Sequence, residues 1–387
     1  MLKNKKIIIV ILINICIFFI TNILFNIKYE QVDDFIIYNL YSGLDGTYNI
    51  HGIYIHPVIC FIISLFFRII PVINWHTVFL LLSQFICFTI IGYILLKKHN
   101  NAISILLYTL FASIFYSTLL MLIQYTSVAA LLILTSFFLL IYLIEQEENI
   151  RFKYKVLIYV LFTIGIMTRM QSLIIILPFF GAYLVVRILK YIKNEKDKKQ
   201  LLKIIKYYGI YFVIAIIVFI SSFIIYNSNN TYKEYIKYNE ARTTIQDITY
   251  VDYEENKEIF DEIGWSKNDH YMFYTFGFGD ENIFSKEKIQ KVLDYKIKKD
   301  GKYNFNTDLI QIKDNFISEA TNTYTYISIL FISMFILSLF INKKKNGFNV
   351  LIFIVTVSLH ILFLVICRSM LRVIIPEYII RNSIIDI

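Results

Sequence analysis

The chain has 387 residues, of which 57% are hydrophobic and only 17% charged, where a soluble globular chain sits nearer about 25% charged. Its apolar residues fall in blocks of about 20, the length a helix needs to cross a bilayer core of about 30 Å. That excludes an ordinary soluble domain and predicts an all-α polytopic membrane protein. The formal net charge of +9 belongs on loops rather than on nucleic acid, because basic residues collect on the cytoplasmic side of membrane proteins.

Lys3, Lys5 and Lys6 precede the first apolar run. The run is too long for a signal peptide and no small-residue cleavage site follows it, so it reads as an uncleaved span near 7–26. Further spans are expected near 76–96, 101–121, 124–144, 156–168, 171–187, 208–226, 324–341 and 348–366, about nine in all. Basic clusters fix their direction. Lys97-Lys98, the group Arg151, Lys153 and Lys155, seven lysines from Lys190 to Lys206, and Lys343-Lys344-Lys345 fall on one side with the N-terminus. That side is cytoplasmic. The apolar stretch 57–71 is short and carries a proline at each end. Crossing there would turn every later lysine cluster outward, so an interfacial or re-entrant helix is expected.

Basic loops flank 156–187, so this stretch crosses twice, each time in a helix of about 24 Å. The turn around Arg169 would then sit below the outer surface, where an arginine is costly unless it faces a wet cavity or an anion. Residues 227–323 form the largest non-membrane piece, expected outside. Acids outnumber bases there by 18 to 13. It reads as mostly helical, with Ser266 and Ser285 capping two helices and Ile289, Val292, Leu293 and Ile297 on one face of the second. So small a piece makes a marginal core and is expected to rest on the membrane part. Residues 324–387 complete the chain as a second membrane module with an outer tail.

Four cysteines (Cys16, Cys60, Cys87 and Cys367) lie in or beside apolar runs with no CxxC pair, and read as small core hydrophobes. No P-loop or GxGxxG fingerprint points to ATP or a dinucleotide.

The candidate chemistry sits in "KYEQVDDFIIYNLYSG", residues 28–43, just after the first span. Asp33 can cap a short helix ending at Gly43. A cap accounts for one acid and not two; helical neighbours point about 100° apart, so the other can face a cavity as a general base. Arg169 is a candidate phosphate ligand, as are Arg368 and Arg372, spaced i, i+4 after the last span. The alternative for the last two is snorkelling to lipid headgroups. His51 and His56 suit substrate hydrogen bonding or interfacial packing better than a divalent metal, for which their spacing is weak. No cofactor is firmly indicated. His360 reads as a core histidine, and Glu240, Asp247, Asp269 and Asp280 as solvated acids.

An outward acidic pair directly after the first span, a proline-bracketed interfacial helix, short helices around an arginine and a large outer loop together resemble the GT-C glycosyltransferase superfamily. The resemblance rests on "VDDF" (Asp33, Asp34) by type and position, and more loosely on "YNEARTTIQDITYVDYEENKEIFDEIGWSKNDHYMFY", which is similar to outer loops of bacterial membrane proteins placed in that group. It covers the architecture of about residues 1–226; the end of the chain after nine spans departs from longer members. It implies transfer of a sugar from a polyprenyl-phosphate donor to an acceptor hydroxyl on a glycan, lipid or protein, in cell-surface glycan or glycoconjugate assembly. Asp33 or Asp34 would be the base, Arg169 with Arg372 or Arg368 would meet the phosphate, and residues 227–323 would hold the acceptor. A lipid-linked oligosaccharide polymerase or flippase, and a non-catalytic membrane scaffold, are the alternatives.

Overall fold

The computed structural model describes residues 2–300, apart from positions 31, 45, 53, 99–101, 147–149, 194–197, 249 and 276. The expected spans 324–341 and 348–366, and with them Arg368, Arg372, His360 and Cys367, lie outside the described residues. The chain divides into two compact units, the first running to Phe223 and the second from Ile224.

The first unit is a helical bundle. Its elements are α1 (Leu2–Leu24), β1 (Lys28–Tyr29), α2 (Val32–Ser42), α3 (Pro57–Ile69), α4 (Trp75–Lys98), α5 (Ala102–Met121), β2 (Leu122–Ile123), α6 (Tyr125–Gln146), α7 (Phe152–Thr168), α8 (Ser172–Lys193) and α9 (Lys198–Asn227). Among the described residues six helices are long and apolar enough to cross a membrane: α1, α4, α5, α6, α8 and α9. This is a helical membrane protein. α7, at 17 residues, is about 25 Å long. α8 is longer than the sequence suggested, 22 residues with Pro178 inside, so only one of the two helices flanking Arg169 is short. α7 also begins earlier, at Phe152, which takes Lys153 and Lys155 out of the loop and into the helix.

α6 is the axis of the bundle. Its sequence is apolar all round, as a helix enclosed by others requires, and every residue from Tyr125 to Leu143 is buried. α7 runs back along it. A Cβ on Gly165 would fall 2.7 Å from Ile133 Cγ1 and 3.1 Å from the Ala129 carbonyl, so only glycine permits this approach. Small residues serve the same purpose at other helix contacts in membranes. A polar knot joins three other helices: Asn14 of α1 lies 3.2 Å from Thr89 Oγ1 of α4, and the Tyr108 hydroxyl of α5 lies 2.7 Å from Asn14 Oδ1. Cys60 and Cys87 are buried as expected, whereas Cys16 is exposed on the bundle surface.

Contacts along the bundle show which helix ends lie together. At one end β1 pairs in parallel with β2, joining the exit of α1 to the exit of α5. There too lie the start of α4, the start of α6, the end of α7 and the C-terminal part of α9, joined by the contacts described below. At the opposite end Lys6 bonds the Leu96 carbonyl, Lys97 lies over the Tyr142 ring, and Arg187 with Tyr183 meets Glu145. The seven described helices α1 and α4 to α9 therefore alternate in direction. α3 does not alternate. Its first turn follows His56, whose N–H bonds the Met167 carbonyl at the end of α7, and Ile70 after it accepts from the Trp75 indole at the start of α4. Both its ends sit at the same end of the bundle, so α3 is no crossing.

The second unit comprises α10 (Asn230–Thr243), a π-helical turn at Thr244–Ile248, α11 (Lys257–Ile263), α12 (Lys267–Tyr274) and α13 (Lys286–Asp300). Ser266 caps α12 in a capping box with Asp269, and the Ser285 hydroxyl accepts from the Lys288 N–H at the start of α13, both as expected. Asp269 is thus a capping residue; Glu240 and Asp280 are exposed. The unit has its own core, in which Trp265 packs on Phe260, Phe273 and Phe284 and its indole donates to the Ile283 carbonyl at 2.7 Å. Ile289 and Val292 close it from α13. Trp265→Ala is expected to destabilise this unit by about 3–5 kcal/mol, the range for emptying a large aromatic site, read as loss of its cooperative unfolding transition in detergent.

Candidate functional site

The site lies at the bundle end where α1 and α5 emerge. α2 begins at Val32, so both acids lie in its first turn and Asp33 is not the residue preceding the helix. α2 ends at Ser42, and Gly43 takes φ 70° with its N–H on the Asn39 carbonyl, the left-handed stop that glycine favours.

The two aspartates have separate environments, as their 100° offset predicts. Asp34 is buried with no exposed surface, and so is His76 in the first turn of α4. His76 Nε2 lies 3.0 Å from Asp34 Oδ1. A carboxylate only accepts, so Nε2 carries the proton of this hydrogen bond. Nδ1 is buried with no hydrogen-bond partner among the described residues. The Tyr125 backbone N–H, 3.2 Å from Oδ1, is the second donor to Asp34. Burial pushes the Asp34 carboxyl up from its ordinary range, while the His76 hydrogen bond and charge and the Tyr125 N–H pull it back. Asp33 is half-buried.

Asp34 also completes a helix start. The first N–H groups of a helix have no partner within it, and those of α6 are buried. Tyr125 N–H goes to Asp34, while the Gln124 side-chain oxygen accepts from Thr126 at 2.8 Å and Ser127 at 3.0 Å. A carboxylate at that terminus also meets the positive end of the helix dipole. Neighbouring contacts hold α4 in register. Asn74 Oδ1 accepts the Thr77 N–H, its amide reaches the Tyr29 hydroxyl, and that hydroxyl lies 2.6 Å from Thr77 Oγ1.

Arg169 follows α7 directly and arrives at the same place. Its Nη1 donates to the Tyr125 hydroxyl at 2.7 Å, and its guanidinium carbon stands 4.2 Å above the Tyr54 ring and 5.4 Å from the Tyr125 ring. The two tyrosine rings are near parallel, 13° apart. Its Nε is buried without a partner, and no carboxylate lies within ion-pair distance of it among the described residues. The turn carrying it is anchored independently, by Ser172 Oγ on the Thr126 carbonyl and by His56 N–H on the Met167 carbonyl.

The histidines suggested by the sequence have local duties. His56 Nδ1 accepts the Val58 N–H and caps α3, which leaves Nε2 to donate to Ser221 Oγ of α9 at 3.0 Å. Its burial lowers its tendency to protonate, and that of His51 is lowered in the same way. His51 Nδ1 lies 3.2 Å from Asn49 Oδ1. No group of three or more potential metal ligands gathers among the described residues.

The structure thus joins Asp34 and Arg169 through one residue, Tyr125. His76, Tyr125, Gln124 and Tyr54 were missed by sequence reasoning. His76 stood at the edge of an apolar block, in "NWHTV", and "QYT" at 124–126 was the polar break between two spans; both were signals of a buried polar end. What defines the class is a helical membrane protein with a buried Asp–His pair and, at the same end of its bundle, an arginine that meets no carboxylate among the described residues. No family model, curated protein or solved structure matches the chain.

Proposed function

We propose that the chain is a membrane glycosyltransferase that moves a sugar from a polyprenyl-phosphate donor to an acceptor hydroxyl. The observation that carries this reading is Arg169: a guanidinium at a bundle end, held by two tyrosines, with no carboxylate within ion-pair distance among the described residues. Such a group favours an anion, and its planar fork suits phosphate. Phosphate leaves readily, so positive charge at the departing oxygens serves in place of a general acid. Asp34 has no exposed surface, so deprotonation of the acceptor falls to its half-buried neighbour Asp33. Arg368 and Arg372 remain candidates for the same phosphate, and His51 for the sugar. The donor is lipid-linked, the acceptor a glycan, lipid or protein, and membrane lipids surround the bundle; the reading needs no metal. By the lysine bias the N-terminus is cytoplasmic and the acidic pair, with residues 227–323, extracytoplasmic.

Arg169→Ala is expected to lower transfer by about 100- to 1,000-fold, the loss seen when one preorganised donor to a developing charge is removed. The assay is sugar incorporation in membrane vesicles supplied with polyprenyl-phosphate-linked sugars. Undiminished transfer by this variant sinks the proposal.

A further inference from the structure

Tyr125 occupies a place that neither a core residue nor a substrate ligand needs. Its backbone N–H is bound to Asp34 at 3.2 Å and its hydroxyl accepts from Arg169 Nη1 at 2.7 Å. The side chain has no exposed surface. One residue therefore ties the acid-bearing helix α2 to the guanidinium, by two bonds at opposite ends of itself. We infer that Tyr125 is a positioning residue. Its hydroxyl sets the aim of Arg169 toward a lipid-linked phosphate, and the Asp34–His76 pair fixes Tyr125 in turn. The inference rests on the glycosyltransferase reading for the identity of the anion, and goes beyond it in naming what orients the cation.

Three observations support this assignment over a packing role. A guanidinium has five donors in a fixed fork. One is spent on Tyr125, and the fork's plane is set by the Tyr54 ring at 4.2 Å. The backbone of the Arg169 turn does not depend on the hydroxyl, because Ser172 and His56 anchor that turn separately. Removing the hydroxyl therefore frees the guanidinium and leaves its turn in place. Finally, Asp34 contacts the backbone of Tyr125 and not its phenol, so Tyr125→Phe keeps the carboxylate's second donor and the start of α6.

The experiment uses the full chain in detergent or nanodiscs, with two probes of equal chain length: a polyprenyl monophosphate and the corresponding neutral polyprenol. Wild type is expected to prefer the phosphate. Tyr125→Phe is expected to weaken phosphate binding about tenfold, in keeping with loss of one hydrogen bond to a charged group, with polyprenol binding and the thermal midpoint unchanged. A merely structural tyrosine would move both probes or neither. In an Arg169→Gln background, Tyr125→Phe should have no further effect on phosphate binding. Equal phosphate binding by wild type and Tyr125→Phe overturns the positioning role, and so do additive losses in the double variant. If wild type shows no preference for phosphate, or Arg169→Gln retains it, the reading of the site itself fails, a result distinct from the first two.

Discussion

Asp33→Asn is expected to abolish most transfer while Asp34→Asn spares much of it, although the two residues are adjacent and chemically identical. Loss of a positioned general base costs about 100- to 10,000-fold in rate, and Asp33 is the acid whose side chain keeps exposed surface. Asparagine at Asp33 nearly matches the size of the carboxylate and its amide oxygen still accepts hydrogen bonds, so the fold should stay intact while the base is lost. At Asp34 the amide oxygen of asparagine can still accept from His76 Nε2 and from the Tyr125 N–H, the two donors the carboxylate now holds. Both variants are compared in membrane vesicles for sugar transfer, and in detergent for thermal midpoint. A result in the reverse sense, with Asp33→Asn active and Asp34→Asn folded but dead, would move the base to the buried residue and require the site to open.

The difference between the two aspartates was only half legible in the sequence. Helical geometry said that they must face different ways, and the spacing of Gly43 said where their helix ends; both hold. Which one turned inward depended on His76, and a histidine at the edge of an apolar run carries no mark of its partner 42 residues earlier. The up-and-down parity of the described helices was legible in their apolar runs and short connections, and the end-to-end contacts from β1–β2 to Lys6–Leu96 fall where alternation requires. The non-crossing α3 was readable from the same parity. The lengths of α7 and α8 were not, because each helix runs past its apolar stretch into basic residues, α7 through Lys153 and Lys155 and α8 to Lys193. Arg169 was legible as an arginine in the short turn between two apolar runs. That its companions would be Tyr54 and Tyr125 was hidden among 30 tyrosines, most of which look alike along the chain.

His76→Ala is expected to be the most destabilising single change in the first unit. It leaves Asp34 with no exposed surface and only the Tyr125 N–H, and breaking a buried pair by removing one partner costs about 3–5 kcal/mol. The carboxyl already lies above its ordinary range through burial, and His76 is the strongest of the influences drawing it down. Without the imidazole it rises further. A carboxyl whose folded pKa is raised contributes most stability below its unfolded value, near about 4, and loses it as pH climbs through the folded value. The deficit of His76→Ala should therefore be largest at neutral pH and shrink on acidification toward pH 5. Adding Asp34→Asn to His76→Ala removes the stranded charge, so the double variant should unfold at a higher temperature than His76→Ala alone, an interaction of the sign expected for residues in direct contact. Thermal midpoints of the three variants and wild type, measured across pH 5 to 8 in one detergent, decide the matter. A His76→Ala deficit that is flat with pH, or a double variant that simply adds the two losses, would mean that Asp34 and His76 do not act as a pair.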